Sequence, residues 1–322
     1  MKTLKELESP PRLLPLERLV SRTHNHHPTR PTMEKTIERL KAGYRGEKEV
    51  AYQLKRLTDF DCYVLHGLRL EYNGLIFQID TLLITRKFIL IIEAKNMYGT
   101  IFFDTTFNQM IRQTNELEEG FRNALSQISY HEEQLELWLI TNGFGNLPID
   151  SLVAFSSPST ILRTNDEHNF IHKKVTHAQN LVQKIRELDR KYTSDAAPPL
   201  NPELLCQALL SNHSIPSSDI FTEFKIDKRD IISGVQCPSC SAIAMGRKRG
   251  TWFCSTCNAT SKNAHEQAII DYLLLVNPII TNTQCRDFLQ VTSIHTAHYL
   301  LTSMDLARFG NTKGRRYQLA PN

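Results

Sequence analysis

The amino-acid sequence predicts an α/β protein whose mixed sheet is covered by helices on both faces and is followed by two smaller units. Short segments such as 88–96 and 150–157 carry apolar residues on both faces and are framed by helical patterns, which is typical of a sheet covered on both sides. Two Cys-x-x-Cys pairs lie in the last third of the chain, and a helical region with a basic, hairpin-like end follows them. These three observations define the predicted fold class.

The composition is that of a soluble globular protein, with 322 residues, of which 41% are apolar and 22% are charged. This length accommodates two or three domains. No run of eighteen apolar residues is present, so the sequence predicts no membrane-spanning helix. The first residues lack the apolar segment of a secretory signal, and we therefore expect a cytoplasmic protein.

The positive charge is concentrated in the last third of the chain. Residues 220–322 carry 12 Lys+Arg against 7 Asp+Glu, whereas residues 1–219 carry 26 against 27. A basic segment beside a neutral body indicates a polyanionic partner. The alternative is a basic surface that is merely solvated.

Changes in composition divide the chain into five predicted segments. Residues 1–32 have prolines at positions 10, 11 and 15 and a polar, His-rich stretch, so we expect an extended arm with one short helix. The five segments are this arm at 1–32, an α/β domain at 33–192, a linker with a short helix at 193–233, a four-cysteine unit at 234–262 and a helical unit at 263–322.

Within the α/β domain, hydrophobic spacing predicts the order of helices and strands. A helical pattern from residue 33 is interrupted by Gly43 and Gly46 and is clearest over 47–57. The predicted strands are 62–70, 74–85, 88–96, 100–104 and 150–157, and the predicted helices are 116–140 and 176–192. Residues 193–202 are rich in Ser, Ala and Pro, which is typical of a linker, and a short helix is expected near 202–211.

Two carboxylates lie inside adjacent apolar strands of this domain. If a two-residue turn lies at 86–87, Asp80 is opposite Glu93 and Gln78 is opposite Lys95, all on one side of the hairpin. Directly opposed like charges destabilise a strand pair. The sequence therefore predicts a cation between the two acids.

The chemistry of these side chains favours a hard divalent cation. Carboxylate oxygens suit Mg²⁺ or Mn²⁺, and the amine of Lys95 can help deprotonate an attacking water or neutralise charge on a phosphate. This is the chemistry of metal-assisted phosphodiester hydrolysis. The alternative is a surface ion pair between Lys95 and Glu93, with Asp80 at a bend.

Four segments carry a family resemblance. "GYRGEKEVAYQL", "QIDTLLIT", "IIEAKNMYGTI" and "NALSQISYHEEQLELWL" occur in the order typical of the NERD (nuclease-related) domain of the PD-(D/E)xK nuclease superfamily. The resemblance covers roughly residues 38–160. It implies a restriction-endonuclease-like α/β/α core with a mixed sheet, and a nuclease dependent on Mg²⁺ or Mn²⁺.

The resemblance also implies roles for individual residues. Asp80 and Glu93 match the metal ligands, and Lys95 matches the catalytic lysine. Glu47, on the helix before the sheet, matches the acid that often completes the metal site. Helical spacing alone leaves Glu49 as an alternative to Glu47.

Three further residues are candidates for substrate contacts. Gln78 matches the Gln-Ile-Asp of the family and would hydrogen-bond a phosphate or a water in the catalytic centre. Gln127 and Tyr130 resemble the Gln-x-x-Tyr on the corresponding helix of some recombination nucleases, and at i and i+3 they share a helix face. An ordinary helix surface is the alternative for this pair.

The two Cys-x-x-Cys pairs are separated by thirteen residues, a spacing that predicts a zinc ribbon. Four thiolates on two short turns form a closed tetrahedral site for structural Zn²⁺, and an iron–sulfur or redox centre is the alternative. The unit resembles the zinc ribbons attached to type I topoisomerases, which suggests contact with nucleic acid. The predicted ligands are Cys237, Cys240, Cys254 and Cys257, and the predicted basic tip is Arg247, Lys248 and Arg249.

The order of elements after residue 263 predicts a winged helix. Two helical segments, a turn, a third helix and a basic hairpin follow one another, and Thr292 or Ser293 would cap the third, recognition helix. Protein contacts are the alternative use of such a unit. The predicted groove residues are His295, Thr296 and His298, and the predicted phosphate contacts on the wing are Lys313, Arg315 and Arg316.

Together these features predict a metal-dependent nuclease acting on DNA, in DNA processing or repair. RNA as the substrate, the mode of cleavage and the oligomeric state stay open. The rival hypothesis is a non-catalytic nucleic-acid-binding or scaffold protein built on a nuclease fold. A transcription regulator is a third hypothesis, but it leaves the buried acid pair unexplained.

Overall fold

A computed structural model describes residues 1–145, 147–166, 170–192, 201–216, 219–311 and 314–320. The chain divides into two compact units. Unit 1 comprises residues 1–10 and 39–217, and unit 2 comprises residues 11–38 and 218–322. This division differs from the five predicted segments chiefly because residues 11–38 belong with the carboxyl-terminal part of the chain.

The helices and strands of the described residues are named here in chain order. The helices are α1 (Leu13–Arg22), α2 (Arg30–Leu54), α3 (Ala124–Thr141), α4 (Phe170–Lys174), α5 (Leu181–Lys191), α6 (Pro202–Ser211), α7 (Ile220–Phe224), α8 (Ala264–Leu275), α9 (Asn282–Leu289) and α10 (Ile294–Thr302). The strands are β1 (Lys2–Lys5), β2 (Tyr63–Tyr72), β3 (Leu75–Ile84), β4 (Ile89–Lys95), β5 (Thr100–Asp104), β6 (Gln109–Gln113), β7 (Glu118–Arg122), β8 (Ile149–Phe155), β9 (Ile161–Thr164), β10 (Val175–His177), β11 (Val235–Gln236), β12 (Ile243–Lys248), β13 (Thr251–Cys254), β14 (Thr260–Ser261), β15 (Ile280–Thr281), β16 (Leu306–Phe309) and β17 (Arg316–Leu319). No helix within these ranges is long and apolar enough to cross a membrane.

Unit 1 is built on a mixed sheet with the strand order β1-β2-β3-β4-β8-β10. Strands β2, β3 and β4 are antiparallel, whereas β8 runs parallel to both β4 and β10. Alternate residues of β4 enter different cores, since Ile91 packs with α3 and α6 and Ile92 packs with α2 and α5. Helices therefore cover both faces, and the predicted α/β fold class is confirmed.

The hairpin of β3 and β4 has the predicted register. Ile84 pairs with Ile89 and Leu82 pairs with Ile91, around a turn in which the Thr85 amide donates to the Phe88 carbonyl at 3.0 Å. The ladder ends at the pair of Thr81 and Ile92, one position before the two acids.

Beyond this point the two strands no longer pair with each other, although each keeps its other neighbour in the sheet. Strand β4 continues along β8 as far as the pair of Lys95 and Phe155, whereas Gln78 of β3 pairs with Arg69 of β2. The predicted pairing of Gln78 with Lys95 is therefore absent. The acids lie where the strands separate, which leaves room between them.

A second sheet of unit 1, with the order β7-β6-β5-β9, corrects the predicted helix at 116–140. Residues 118–122 form β7 along β6, and α3 begins only at Ala124, where the Asn123 side chain accepts from the Leu125 amide at 2.9 Å. Gly120, a poor helix former, lies in this strand opposite Ile111. The predicted helix at 176–192 is likewise shorter, because residues 175–177 form β10 along β8.

Residues 1–32, which we expected to form an extended arm with one short helix, contain β1, α1 and the start of α2. In unit 2, α1 buries Leu16 and Leu19 completely, and Arg22 is also 0% exposed. Arg22 Nε donates to Asp271 Oδ2 at 2.7 Å, and Arg22 Nη1 donates to the Gly234 carbonyl at 2.7 Å. Pro10 and Pro11 thus precede a packed helix, and Pro15 lies in its first turn.

The remainder of unit 2 contains two small sheets. Strands β11 to β14 form an antiparallel sheet in chain order. The helices α8, α9 and α10 are then followed by the pair β16 and β17, and β15 joins this pair to give the order β15-β17-β16.

Candidate functional site

The two strand acids lie at the point where β3 leaves β4. Asp80 is half-buried, and its Oδ2 accepts from the Ala94 amide at 3.0 Å. Ala94 itself packs into the core between the sheet and the α2 and α5 helices, as its alternation with Glu93 predicts. The Asp80 carboxylate thus binds a main-chain donor just beyond the end of the ladder.

Glu93 is the most buried acid of the cluster, with 4% of its surface exposed. Its Oε1 accepts from Lys95 Nζ and from Gln127 Nε2, both at 2.7 Å. Lys95 Nζ also donates to Gln127 Oε1 at 2.9 Å. The three side chains form a closed triangle in which α3 holds the lysine and the carboxylate in place.

The second oxygen of Glu93 has no hydrogen-bond partner among the described residues, although it is buried. His131 Nδ1, on the next turn of α3, is also buried and without such a partner, and it lies 3.9 Å from Glu93 Oε2. Burial lowers the pKa of His131. Sequence reasoning missed this histidine, although its position at i+4 from Gln127 places it on the same face of the helix.

Glu47 of α2 is the third acid of the cluster. Its pKa is raised by burial and by the charge of Glu93. The pKa of Asp80 is raised well above its usual value by burial and then by the charges of Glu93 and Glu47. Glu49, the alternative, instead accepts from Gln53 Nε2 at 2.7 Å along the helix. Of the two glutamates, Glu47 is therefore the one coupled to the strand acids.

A close contact between α2 and the end of β4 sets the position of Glu47. A Cβ at Gly46 would lie 3.0 Å from the Cβ of Asn96, so glycine permits this approach. Asn96 Nδ2 donates to the Ala42 carbonyl at 2.7 Å, and Ser156 Oγ donates to Asn96 Oδ1 at 3.1 Å. These bonds connect the helix to the strands that carry the other acids.

The acid cluster has the donor chemistry of a divalent metal site. Burial, and then the neighbouring carboxylates, raise the pKa values of Asp80 and Glu47, so their charged forms are unfavourable without a cation. Among the described residues no donor compensates the burial of Glu93 Oε2. Oxygen ligands of this kind suit Mg²⁺ or Mn²⁺. The potential ligand atoms of this cluster are more widely spaced than those of a closed metal site. Within the described ranges, only the four cysteines bring three or more such atoms within 4.8 Å of one another.

Two predicted substrate residues lie outside this cluster. Gln78 is exposed on β3. Tyr130 is 39% exposed and, with Phe103, Ser126 and Phe170, lines a neighbouring cleft of about 560 Å³. The predicted pair on α3 is thus divided, since Gln127 binds the acid cluster whereas Tyr130 faces the cleft.

Comparison with known families agrees with this geometry. Residues 42–156 match the family model of the nuclease-related domain, NERD. This segment is a nuclease-related domain. It contains Glu47, Asp80, Glu93, Lys95 and Gln127. Comparisons with curated proteins and with solved structures gave no match.

Outside the NERD domain, four thiols form a second candidate metal centre. The sulfurs of Cys237 and Cys257 lie 3.6 Å apart, those of Cys240 and Cys254 lie 3.7 Å apart, and all four lie within 4.8 Å of one another. Zn–S bonds of about 2.3 Å in a tetrahedron place sulfurs about 3.8 Å apart. The donor set and its spacing therefore fit Zn²⁺.

The backbone of the two knuckles supports the same assignment. Ser241 and Asn258, the residues that follow each pair, adopt left-handed conformations with φ of 62° and 61°. The Cys257 amide donates toward the first thiol of its knuckle and thereby lowers the pKa of Cys254 to about 6. The Cys240 amide lowers the pKa of Cys237 in the same way. Metal binding requires such thiolates.

The hairpin of β12 and β13 presents fewer basic groups than the sequence predicts. Lys248 pairs with Thr251, so the tip is formed by Arg249 and Gly250. Lys248 and Arg249 are exposed, but the Arg247 guanidinium packs on the Trp252 ring at 5.2 Å. Arg247 Nη1 is buried. The role of this arginine in the sheet is therefore packing.

The carboxyl-terminal candidates are distributed over α10 and the strand pair. Ser293, rather than Thr292, caps α10, since its side chain accepts from the Thr296 amide at 3.2 Å. His295 and His298 are exposed, whereas Thr296 is half-buried. Arg316 is exposed on β17, Arg315 before it is half-buried, and Lys313 lies outside the described residues.

Proposed function

We propose that the NERD domain is a metal-dependent nuclease that hydrolyses phosphodiester bonds in DNA. The observation that carries this proposal is the placement of three acids and one lysine around the end of β4. Glu93 is buried, Lys95 donates to it at 2.7 Å, and the charges of Asp80 and Glu47 are coupled to it. A sheet gains no stability from such a cluster, so a catalytic role explains it better than a structural one.

The three acids would hold Mg²⁺ or Mn²⁺, with Glu93 contributing its free oxygen. When bound, the cation would polarise a phosphate oxygen and lower the pKa of a water. The Ala94 amide restrains the Asp80 carboxylate, and the contact of Gly46 with Asn96 fixes the part of α2 that carries Glu47.

Lys95 would act on the substrate directly. Its ammonium is fixed between Glu93 Oε1 and Gln127 Oε1, so it keeps its position at the edge of the cluster. From there it neutralises negative charge that develops on a phosphate oxygen. Gln127 is thus a positioning residue. We assign Gln78 and Tyr130, both exposed on unit 1, to contacts with the nucleic-acid backbone.

Unit 2 would hold the substrate. We propose that β11–β14 form a zinc ribbon and that the helices and strands from α8 to β17 form a winged helix. The support for the second assignment is the order of three helices followed by a strand pair that β15 completes. The proposed DNA contacts are Lys248, Arg249, His295, Thr296, His298, Lys313, Arg315 and Arg316.

The test is cleavage of single-stranded, double-stranded and nicked DNA, and of RNA, by the full-length chain with Mg²⁺ or Mn²⁺. Wild type should cleave DNA, and Glu93→Gln and Lys95→Ala should each lose cleavage by at least about a hundredfold. Glu49→Gln is the matched control, since that acid bonds along α2 and should be dispensable. Binding of DNA without cleavage under all these conditions would favour the non-catalytic alternative.

A further inference from the structure

Two buried polar atoms face each other in the acid cluster without a hydrogen bond. Glu93 Oε2 and His131 Nδ1 lie 3.9 Å apart, and neither has a hydrogen-bond partner within the described residues. Both side chains are more than nine-tenths buried, with 5% and 7% of their surface exposed. Because buried polar atoms in proteins are nearly always hydrogen-bonded, this pair calls for an occupant that binds both atoms.

In the tautomer with its proton on Nε2, His131 presents an acceptor toward Glu93, so the occupant must satisfy two groups of the same kind. Glu93 Oε1 is already occupied by Lys95 and Gln127, which leaves Oε2 as the available oxygen. A carboxylate oxygen only accepts, and an imidazole nitrogen without a proton also only accepts. Two facing lone pairs in a buried place are stabilised by a cation.

The distance between the two atoms agrees with a shared metal ion. Ligand atoms at about 2.1 Å from one ion lie about 3.0 Å apart at a right angle and about 4.2 Å apart on opposite sides. With bonds of about 2.1 Å, the separation of 3.9 Å corresponds to an angle of about 136° at the ion, between these two arrangements, and it exceeds the distance of a direct hydrogen bond.

We propose that His131 Nδ1 and Glu93 Oε2 bind the same divalent cation, and that the imidazole makes the centre prefer Mn²⁺ to Mg²⁺. This inference rests on the proposed metal-dependent function and specifies the cation. Carboxylates serve both ions, whereas Mg²⁺ is held mainly by oxygen and water. A nitrogen ligand adds affinity chiefly for first-row transition ions.

Calorimetric titration of the zinc-loaded full-length chain with MnCl₂ and with MgCl₂ tests the proposal without any substrate. His131→Ala should weaken Mn²⁺ binding at least about tenfold and change Mg²⁺ binding less than about threefold. His131→Gln, which offers an amide oxygen, should retain Mg²⁺ binding and lose the preference for Mn²⁺. His172→Ala, at an exposed histidine of α4 in the same unit, is the matched control and should bind both ions as wild type does.

Pulsed electron paramagnetic resonance of Mn²⁺ bound to the wild-type chain gives a second readout that needs no variant. Coupling to an imidazole nitrogen is expected, and its absence would overturn the proposal. Unchanged Mn²⁺ binding by folded His131→Ala and His131→Gln would do the same.

A Glu93→Gln variant separates this outcome from failure of the centre as a whole. If Glu93→Gln loses both ions while the His131 variants bind normally, only the role of the histidine is wrong. If Glu93→Gln also binds both ions as wild type does, the metal centre and the proposed nuclease function are wrong together.

Discussion

Replacing Asp271 by Asn should destabilise unit 2 by about 3–5 kcal/mol. The carboxylate is 0% exposed and accepts from Arg22 Nε at 2.7 Å, Arg18 Nη2 at 2.8 Å and Gln267 Nε2 at 3.0 Å. Asn has a similar shape but no charge, so the completely buried guanidinium of Arg22 would remain without a counter-charge. The loss of one partner from a buried ion pair costs several kilocalories, because the remaining charge stays desolvated.

The measurement is urea unfolding followed by tryptophan fluorescence. The chain has two tryptophans, Trp138 in unit 1 and Trp252 in unit 2, so a Trp138→Phe background reports unit 2 alone. Glu223→Gln is the matched control, because it breaks a partly exposed ion pair between Glu223 and Arg12 of the same unit and should cost at most about 1 kcal/mol. An Asp271→Asn protein as stable as this control would refute the docking of α1 through a buried ion pair.

Three further predictions concern the metal sites and the wing. Asp80→Asn should stabilise the protein in Mg²⁺- and Mn²⁺-free buffer at pH 7 but not near pH 4. Burial and neighbouring carboxylates raise the pKa of Asp80 in the folded protein. The wild-type protein therefore loses stability as the pH rises from the unfolded pKa of about 3.9 through the folded pKa. Calorimetry at both pH values checks this, and Glu49→Gln should show no such difference. Elemental analysis should find one zinc per chain, and Cys254→Ser should lose it together with the ribbon while unit 1 keeps its unfolding transition. Arg315→Ala and Arg316→Ala should each reduce the salt slope of DNA binding by roughly 1, and unchanged slopes would indicate a protein-docking surface instead.

The register of the β3–β4 hairpin was predictable because it depends on local information. A two-residue turn at 86–87 fixes every pair that follows, and period-2 alternation assigns each side chain to a face. The end of the ladder was not predictable in the same way. It is a property of the folded sheet, in which β3 and β4 stop pairing after Thr81 and Ile92 although each keeps its other neighbour. The sequence therefore indicated the acids and their side of the sheet, but not the separation of the strands.

The choice between Glu47 and Glu49 shows the same limit at a finer scale. Both acids lie on α2, and helical spacing alone allows either to face the sheet. A glycine contact decides between them, since Gly46 lets the helix approach Asn96 closely at the end of β4. The signal is present in the sequence as a glycine next to the acid, but its meaning depends on a neighbour fifty residues away.

The amino-terminal segment gave the largest disagreement, and its cause is a long-range polar contact. The proline and polar content of a segment predicts its conformation in the absence of tertiary contacts. Without such contacts, residues 1–32 would not bury enough apolar surface to fold. The partner of Arg22 is Asp271, 249 residues further along the chain. An arginine in a short amphipathic helix is ordinarily exposed, and only a buried acid on another helix makes its burial favourable. His131 escaped sequence reasoning for the same reason, because only the folded chain places its ring beside Glu93.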